Sequence, residues 1–340
     1  MAAFIRHSVN LQALHTLASP AWAEHYVALE QAADLPSILE QARQAGWAVR
    51  VLGEGSNVVL GDTVHGLVIH QQCHGFTLLD ENEFSVSLSV AAGENWHRLV
   101  AWCLQHGYHG LENLALIPGT VGAAPIQNIG AYGVEVGGFI ETVSCLDLET
   151  GERLMLSRRD CKFGYRDSIF KNELRDKVII KAVQFRLPRR ARPSFDYPVL
   201  AQWLESRHID KPGPQEIFDA VVMLRTTRLP DPKEIPNAGS FFKNPCVDDE
   251  RLQALLGEHP ELVNYPDGQG GHRLAAAWLI EQCGFKQAKG PVRVHKDHAL
   301  VITNPGYRPA TEIEALAADI VEAVEQRFGI TLEQEPRSYG

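Results

Sequence analysis

The chain has 340 residues, of which 45% are hydrophobic and 22% charged, a composition ordinary for a globular protein of two or three domains with an ample buried core. A net charge of −10 disfavours non-specific binding to nucleic acid, although it leaves room for a local basic pocket that holds a small anion. No apolar run reaches membrane-spanning length and the N-terminus lacks a secretion signal, so we expect no membrane insertion and a cytoplasmic protein.

The cysteines and the paired histidines do not support a metal site. None of the six cysteines forms a C-x-x-C pair, so we expect buried or inert thiols in a reducing compartment. His106 and His109 are three residues apart, as are His295 and His298, but neither pair has a third convergent ligand. We therefore predict no bound metal.

The first clear elements are a helix and a strand. Apolar residues recur at helical spacing from Leu35 to Ala42 and Gly46 ends the pattern, which predicts a helix over 35–46. The β-branched run at 47–52 is typical of a strand.

A glycine-rich turn follows that strand, Gly53-Glu-Gly-Ser-Asn-Val58. It superficially resembles a dinucleotide-binding fingerprint, but Val58 occupies the third glycine position and a second apolar run, 58–60, follows in place of a helix. We therefore reject a Rossmann turn. The segment predicts a strand–turn–strand in which backbone N–H groups and the side chains of Ser56 and Asn57 hold a phosphate.

The middle of the chain predicts mainly strands. Short alternating or β-branched runs occupy 76–92 and 141–187, and an amphipathic, core-facing helix is predicted at 94–106. Helical pattern returns at 215–226. The three prolines within 229–236 interrupt regular structure, and we place a domain boundary there.

The last third of the chain predicts more helix. The ranges 249–256, 273–283 and 312–328 have helical patterns. Thr311 and Glu314 are spaced as a capping box, with Gly329 after the last helix to end it. A β-rich first two-thirds followed by a more helical remainder predicts an α+β fold.

The stretch from Pro118 to Gly133 is the most informative in the chain. Its density of glycine and proline excludes a regular helix or a central strand. Glycines let backbone approach a ligand closely, so successive N–H groups can converge on an anion, and Gln127 and Asn128 add side-chain donors and acceptors. The alternative is an ordinary surface loop.

These two glycine-rich segments are joined by further blocks at Gly164–Phe170, Asn237–Pro245 and Leu332–Arg337. In order and spacing they resemble the UDP-N-acetylenolpyruvoylglucosamine reductase (MurB) family, in its longer class with a tyrosine-bearing loop. The resemblance implies a two-subdomain FAD-binding fold of the vanillyl-alcohol-oxidase type plus a C-terminal α+β substrate-binding domain. It also implies three domain ranges. FAD subdomain 1 is 1–73, FAD subdomain 2 is 74–229 completed by 330–340, and the substrate-binding domain is 230–329. The last strand is thus implied to return to the second FAD subdomain.

The resemblance implies a cytoplasmic step of peptidoglycan precursor synthesis. We expect a monomer, although the sequence does not give the oligomeric state. NADPH would reduce non-covalent FAD, and reduced FAD would give hydride to the enolpyruvyl ether of UDP-N-acetylglucosamine enolpyruvate, forming UDP-N-acetylmuramate. Hydride attack leaves an enolate, so the protein must stabilise negative charge and then deliver one proton.

Three catalytic residues are implied by the matching blocks. Arg166 would bind the carboxylate and enolate, because a guanidinium stays charged; the alternative is a structural ion pair with its neighbour Asp167. Glu335 would act protonated or through a hydrogen bond to water or the enol, since burial can raise a carboxyl pKa. Ser240 would donate the proton, the alternative being a turn or cap serine.

The remaining site residues follow from the same blocks. FAD is expected to contact both glycine-rich segments, at Gly53, Gly55, Ser56, Asn57, Val58, Pro118, Gly119, Gly122, Ala123, Ala124, Ile126, Gln127, Asn128, Gly130 and Ala131. A diphosphate needs cations and hydrogen-bond donors, and a tyrosine is expected to fold over the nucleotide. The substrate-binding candidates are Tyr197, Arg228, Lys243, Asn244 and Lys286.

Several positions depart from the family pattern. Ala18 ends the run His15-Thr-Leu-Ala, where relatives carry glycine, and Ala123-Ala124 replaces paired serines beside the cofactor. Arg228 stands where lysine is common, and His298 stands where a relative has glutamine. These changes put local cofactor and substrate contacts in question.

Two other functions stay open. One is a different FAD oxidoreductase of the same fold, such as an alcohol or sugar oxidase; many of those tether flavin through histidine or cysteine, and the Gly53–Val58 turn has neither. The other is a non-catalytic nucleotide-sugar-binding protein, which the co-occurrence of Arg166, Ser240 and Glu335 disfavours.

The sequence does not separate NADPH from NADH. It has no dedicated nicotinamide fold, so the donor and the UDP-sugar are expected to share one cleft.

Overall fold

The computed structural model describes residues 4–268 and 270–340. The strands of this described part are, in chain order, β1 Arg6–Asn10, β2 Trp22–Leu29, β3 Val49–Leu52, β4 Val58–Leu60, β5 Thr63–Gln71, β6 Phe76–Glu81, β7 Ser85–Ala91, β8 Gly130–Ala131, β9 Val134–Glu135, β10 Ile140–Asp147, β11 Arg153–Ser157, β12 Val178–Pro188, β13 Asn237–Ser240, β14 Cys246–Val247, β15 Asn264–Pro266, β16 His272–Leu274, β17 Arg293–His295, β18 His298–Thr303 and β19 Arg337–Tyr339. The α-helices are α1 Leu35–Ala45, α2 Trp96–Gln105, α3 Pro198–Glu205, α4 Pro214–Arg228, α5 Asp249–Glu258, α6 Ala276–Gln282 and α7 Ala310–Phe328. This mixture of strands and helices confirms the α+β prediction.

Backbone contacts divide the chain into two units. Within the described residues, the first unit comprises 4–9, Ala23–Glu54 and His65–Thr227, and the second comprises Asn10–Trp22, Gly55–Val64 and Arg228–Gly340. One division falls inside the Gly53–Val58 turn and another falls beside the proline-rich segment 229–236. The three-domain division stays a prediction.

The main sheet of the first unit is antiparallel, in the order β11-β10-β12-β7-β6. Helix α2 contributes Trp96, Leu99, Val100 and Cys103 to its core, as the helical spacing predicts, and Asn95 caps the helix by accepting a hydrogen bond from Arg98 N–H. The strand predictions for 76–92 and 141–187 are confirmed. They contain β6 and β7, and β10 to β12.

A second sheet has the order β1-β2-β5-β3, in which β3 and β5 run parallel. Helix α1 buries Leu35, Ile38, Leu39 and Ala42 in the adjoining core, and Gly46 ends it at φ +69°. The turn after β3 leads into strand β4, not into a helix, so rejection of the Rossmann turn is confirmed. Strands β3 and β4 lie in different sheets.

The second unit has two small sheets, β13-β18-β17 and β14-β16-β15, with α6 and α7 in one apolar core. The predicted helix at 273–283 begins later, because His272–Leu274 pairs with β14 and β15 as a strand. The predicted capping box is wrong: Pro309 is the N-cap of α7, so Thr311 already lies in the first turn. An Arg308–Glu312 ion pair supports this earlier start.

The last strand differs from its expected position. Strand β19 pairs in parallel with β4, with Arg337 opposite Val58, inside the second unit. Its partner therefore lies in the range 1–73, not in 74–229 where the resemblance implied that it returns. Within the described residues 4–268 and 270–340, the short apolar run 58–60 has β19, near the C-terminus, as its strand neighbour.

Most thiols are buried, as expected. Cys73, Cys103, Cys145 and Cys161 are buried, and burial raises the pKa of Cys145 to about 12, which keeps that thiol protonated. Cys246 is exposed, but partial burial still raises its pKa, which agrees with the alternative expectation of an inert thiol.

Candidate active site

The two glycine-rich segments meet within the first unit. A Cβ built on Gly53 would lie 2.7 Å from Thr120 Oγ1, so only glycine permits this approach without displacement. The neighbouring Glu54 carboxylate accepts a hydrogen bond from the Gly119 N–H at 2.9 Å and another from the Asn95 side chain. The sequence singled out the two segments separately, and the structure joins them through Glu54, a residue that sequence reasoning missed.

The loop of the second segment begins at a residue in a left-handed conformation. Leu116 has φ +56°, which is rare for a bulky residue. Its N–H donates to Nδ1 of His97 at 3.2 Å and its carbonyl accepts from Nε of Arg225 at 3.2 Å. The His97 ring stacks on Phe218, and burial lowers the pKa of His97, which favours the neutral ring that can accept this bond.

The following turn is held against the end of β7. Gly122 N–H donates to the Ala92 carbonyl at 2.8 Å, and a Cβ on Gly122 would lie 2.6 Å from the Ala92 Cβ. Val121 N–H donates to the Glu94 carbonyl at 2.8 Å. Glycine at this position is therefore required by contact with protein.

Asn128 is buried and bonded within the protein. Its Nδ2 donates to Glu135 Oε2 at 2.8 Å and to the Gly164 carbonyl at 2.9 Å, while its Oδ1 accepts from Gly137 N–H. Both amide hydrogens are thus used to hold the loop. The predicted cofactor donor supports the surrounding backbone.

The expected cofactor residues of the first unit fall into three groups by exposure. Pro118 and Ile126 are exposed. Partial exposure is shared by Gly53, Ala123, Gln127, Gly130 and Ala131. The buried ones are Gly119, Gly122, Ala124 and Asn128. Direct ligand contact is open mainly to the first two groups.

Arg166 lies beside the same loop. It has φ +51°, and its Nη2 donates to the Gly130 carbonyl at 2.7 Å. Its guanidinium also lies over the Tyr165 ring. The neighbouring Asp167 carboxylate accepts from the Asn172 side chain at 2.9 Å.

A second arginine, Arg225 on α4, has the same surroundings and was missed from the sequence. Burial lowers the pKa of Arg225 and so does the nearby Arg166, while Tyr132 raises it. The Tyr132 ring contacts Tyr197 edge-on, with centroids 5.6 Å apart. In the sequence, Arg225 is one arginine within a helical pattern, and nothing there predicts that it lies beside the loop.

In the second unit, the turn at Gly55 is packed against the N-terminal segment. A Cβ on Gly55 would lie 2.4 Å from the Leu14 carbonyl oxygen, and the Gly55 carbonyl accepts from Thr16 N–H at 3.0 Å. Ala18, which stands where the family pattern has glycine, has a left-handed φ of +48°. That conformation carries a cost for alanine that glycine does not bear.

Asn57 and Val58 bring the glycine-rich turn to the C-terminal block. Arg337 N–H donates to the Asn57 carbonyl at 3.0 Å, and the Asn57 side chain makes a long 3.5 Å contact with the Glu335 carbonyl. Val58 is opposite Arg337 in the ladder. Ser56 is half-buried in the same turn.

Ser240 and Glu335 lie on adjacent stretches of the second unit. Glu335 N–H donates to the Phe241 carbonyl at 2.9 Å, and Lys243 N–H donates to the Glu333 carbonyl at 2.9 Å. Both Ser240 and Glu335 are half-buried, and the Ser240 hydroxyl bonds no other described residue. The structure thus brings together two of the three predicted catalytic residues within one unit.

The predicted substrate-binding residues of the second unit already have protein partners in most cases. Lys243 forms an ion pair with Glu333, and Lys286 pairs with Glu281 at 2.7 Å. The Asn244 side-chain oxygen accepts from Ala276 N–H and so caps α6. Arg228 is exposed.

No group of three or more histidine, cysteine or acidic residues that could hold a metal occurs in the described ranges 4–268 and 270–340. His298 begins β18, opposite His295. Burial lowers the pKa of His295. Among the same described residues, no helix is both long and apolar enough to cross a membrane.

The accessible atoms of the glycine-rich segments suit FAD. In the first unit they are backbone amides, the Gln127 side chain and an apolar surface at Ile126, which is 38% exposed; in the second unit they are backbone amides and the Ser56 side chain. A flavin offers an apolar ring with a polar edge, and its diphosphate accepts hydrogen bonds from backbone N–H groups. The groups that each unit offers, taken by itself, therefore fit the cofactor.

Comparison with known families gives two matches on this chain. A model described as FAD binding domain matches residues 23–157. A model described as UDP-N-acetylenolpyruvoylglucosamine reductase, C-terminal domain, matches residues 231–339.

Full-length relatives agree with these matches. A UDP-N-acetylenolpyruvoylglucosamine reductase of Chromobacterium violaceum is 44% identical over 333 residues, covering 97% of this chain and 98% of its own. One of Escherichia coli O157:H7 is 46% identical over 319 residues, covering 94% and 92%. The crystal structure of the Thermus caldophilus enzyme superposes with a TM-score of 0.66 at 23% identity, covering 99% of this chain and 100% of that one, which shows a shared fold.

Proposed function

Because this chain belongs to the UDP-N-acetylenolpyruvoylglucosamine reductase family, we propose that Arg166, Ser240 and Glu335 carry out its chemistry. The enzyme is an FAD-containing oxidoreductase that uses NADPH to reduce UDP-N-acetylglucosamine enolpyruvate to UDP-N-acetylmuramate for peptidoglycan. The observation that carries the residue assignment is the backbone pairing of Phe241 with Glu335, which places Ser240 and Glu335 on neighbouring stretches.

The chemistry that bound FAD supplies is hydride transfer, from NADPH and then to the terminal carbon of the enolpyruvyl double bond. The protein residues expected to hold it are the accessible ones of the glycine-rich segments. Backbone N–H groups and Ser56 would bind the diphosphate, while Ile126, Gln127 and Ala123 would contact the ring. Glu54, Asn128 and Arg225 keep those segments in shape.

Arg166 would neutralise the negative charge that develops on the substrate. Hydride addition leaves an electron pair on the carbon next to the carboxylate, delocalised into it as an enolate. A guanidinium can bind that carboxylate with two hydrogen bonds and stays charged throughout. Its bond to the Gly130 carbonyl fixes the side chain before substrate arrives, which lowers the reorganisation needed in the transition state.

Ser240 would then donate its Oγ proton to the same carbon, which completes the saturated product. The resulting alkoxide would recover a proton from solvent. Its hydroxyl bonds no other described residue, so it is available to the substrate. Glu335 would donate a hydrogen bond to the enol oxygen or order a water there.

The diphosphate and uridine would be bound by the polar and aromatic candidates. Lys243, Arg228 and Lys286 supply cations, of which Lys243 is the most buried, with its side chain 13% exposed. Tyr197 is 42% exposed and would fold over the nucleotide. Asn244 would donate through its Nδ2, because its oxygen already caps α6.

We further propose that the enzyme acts in the cytoplasm as a monomer and that NADPH and the UDP-sugar bind alternately in one cleft. A dedicated nicotinamide-binding motif is missing from the sequence. Mutual competition in steady-state kinetics would support the shared cleft, and independent inhibition patterns would contradict it. Sedimentation at working concentration tests the monomer.

The direct test is anaerobic NADPH consumption by the purified enzyme with and without UDP-N-acetylglucosamine enolpyruvate. Sustained consumption only with the sugar is expected.

Stopped-flow absorbance of the flavin then separates its reduction by NADPH from its reoxidation by the sugar. Arg166→Ala and Glu335→Gln are expected to slow reoxidation more than reduction; equal losses would indicate a folding or flavin-binding defect. Flavin retained on acid-precipitated protein would instead support the covalent oxidase alternative.

A further inference from the structure

One buried asparagine ties together two loops that carry aromatic residues. Asn113 lies in the short 3-10 turn Glu112–Leu114 and is 2% exposed. Its Nδ2 donates to the Tyr132 carbonyl at 3.0 Å and to the Ser194 carbonyl at 2.8 Å. These acceptors are 19 and 81 residues away along the chain. Both hydrogens of one amide group thus join segments that the sequence separates widely.

The two joined segments meet again through their side chains. The rings of Tyr132 and Tyr197 are in edge-on contact, with centroids 5.6 Å apart and planes at 80°. A Cβ on Gly133 would lie 3.9 Å from the Tyr197 Cβ, so the backbones also approach closely. The ring contact with Tyr132 and the Asn113 bond to the Ser194 carbonyl therefore both bear on the position of Tyr197.

The backbone at Tyr132 and Gly133 has a conformation that contacts from elsewhere in the chain must stabilise. Tyr132 has φ +48° and Gly133 has φ +83°. The left-handed region is unfavourable for an aromatic residue, so surrounding bonds must over-determine it. The carbonyl that accepts from Asn113 is that of Tyr132 itself.

Burial does not hold the Tyr197 side chain in one position. It is 42% exposed and forms the N-cap position of α3 with extended backbone, φ −64° and ψ 124°. An exposed aromatic at a helix start samples several positions unless its loop is anchored. The anchor three residues before it is the Ser194 carbonyl, which accepts from Asn113.

We propose that Asn113 is a positioning residue that sets the Tyr132–Tyr197 pair for nucleotide binding by holding both loops through their carbonyls. The proposal rests on the proposed function, in which Tyr197 contacts the nucleotide. It assigns to Asn113 an effect on affinity for the uridine diphosphate moiety, with no part in hydride or proton transfer.

The test is Asn113→Asp in the FAD-loaded enzyme, with UDP binding measured by titration calorimetry. Aspartate keeps the size of the side chain but donates to neither carbonyl. The expected result is a rise in the Kd of UDP by about tenfold, with the rate of flavin reduction at saturating NADPH and kcat at saturating NADPH and sugar within about twofold of wild type. An unchanged Kd in a folded variant would overturn the proposal.

The matched control is Asn304→Asp. Asn304 is also fully buried, and its Nδ2 donates to the carbonyls of Leu17 and Arg308 at 3.0 Å each, in the second unit. Thermal unfolding should show a loss of stability in both variants, whereas only Asn113→Asp should weaken UDP binding. Equal weakening in both would indicate a general structural effect and contradict the proposal.

A double-mutant cycle shows whether Asn113 acts through Tyr197. Tyr197→Ala should weaken UDP binding, and adding Asn113→Asp should then change Kd by less than about twofold. Additive effects would contradict the positioning role. If Tyr197→Ala itself leaves Kd unchanged, the proposed substrate role of Tyr197 is wrong. If only Asn113→Asp leaves it unchanged, this inference alone is wrong.

A second variant decides the matter if Asn113→Asp fails to fold. Tyr132→Leu keeps the carbonyl that Asn113 binds but removes the edge-on ring contact. It should weaken UDP binding in the same direction, and the ratio of flavin to protein absorbance serves as the control for a folded, FAD-loaded variant. Wild-type UDP affinity in Tyr132→Leu would overturn the proposal.

Discussion

The loop from Leu116 to Gly133 and the pair of stretches around Ser240 and Glu335 are built by different means. Side chains shape the loop: Glu54, His97, Arg225 and Asn128 each bind its backbone or that of a neighbour. Backbone pairing holds the second region, where 241–243 bonds 333–335 and leaves Ser240 for other partners. The glycine-rich loop is thus held mainly by side chains from outside it, whereas backbone pairing holds the second region without using the Ser240 hydroxyl.

The largest expected effect tests the second region. Ser240→Ala should leave flavin reduction by NADPH intact and slow reoxidation by the UDP-sugar by about 100-fold or more, because a positioned proton donor contributes that much. Stopped-flow absorbance measures the two steps. The control is Ser338→Ala, which removes an exposed hydroxyl bonded to Glu314 in the same unit. Normal turnover in Ser240→Ala would show that another group donates the proton.

The next effect tests the packing of the loop. Gly122→Ala should destabilise the protein by about 1–3 kcal/mol and lower flavin content, because the new methyl group would meet the Ala92 backbone and Cβ. Thermal unfolding and the ratio of flavin to protein absorbance are the measurements. Gly138→Ala is the control, since nothing lies within 4 Å of its built Cβ. Equal behaviour of the two variants would contradict a tightly held loop.

A smaller, pH-dependent effect tests the start of the loop. Burial lowers the pKa of His97 in the folded state, so the unfolded state binds more protons. The free energy of unfolding therefore falls as the pH drops below about 6.5, the ordinary pKa of histidine. His97→Gln keeps an acceptor for Leu116 N–H but does not titrate. Stability measured from pH 8 to pH 5 should therefore decline less steeply in the variant. Parallel curves would exclude His97 as a contributor.

The smallest effect concerns Ala18. Its left-handed φ is strained for alanine, so Ala18→Gly should stabilise the protein by up to about 1 kcal/mol, offset by the greater freedom of glycine when unfolded. Chemical denaturation measures it. Ala288→Gly, at an ordinary φ of −64°, should be neutral or destabilising. Destabilisation by Ala18→Gly would mean that the methyl group makes a favourable contact.

The sequence predicted local features whose causes are local. Helix α1 was predicted with both ends and α2 with its C-terminal end, because apolar spacing and the following glycine act within a few turns; α2 begins two residues later than predicted. The start of α7 was wrong because Arg308, Glu312 and Asn304 decide it by contacts that the spacing of Thr311 and Glu314 does not reveal. The beginning of α6 was displaced for a similar reason, since residues 272–274 have strand partners elsewhere.

Of the candidate site, the sequence by itself determined the family, the cofactor class and the residue types available for chemistry, because those depend on motifs that stay recognisable in one dimension. Only the tertiary structure decided which polar groups are already occupied, as in Asn128, and which unpredicted residues support the loops, as in Glu54, Arg225 and Asn113. It alone also decided that the last strand pairs with β4. Hydrogen bonds between residues far apart in the chain leave no periodic signal, so their partners become known only when the backbone has brought them together.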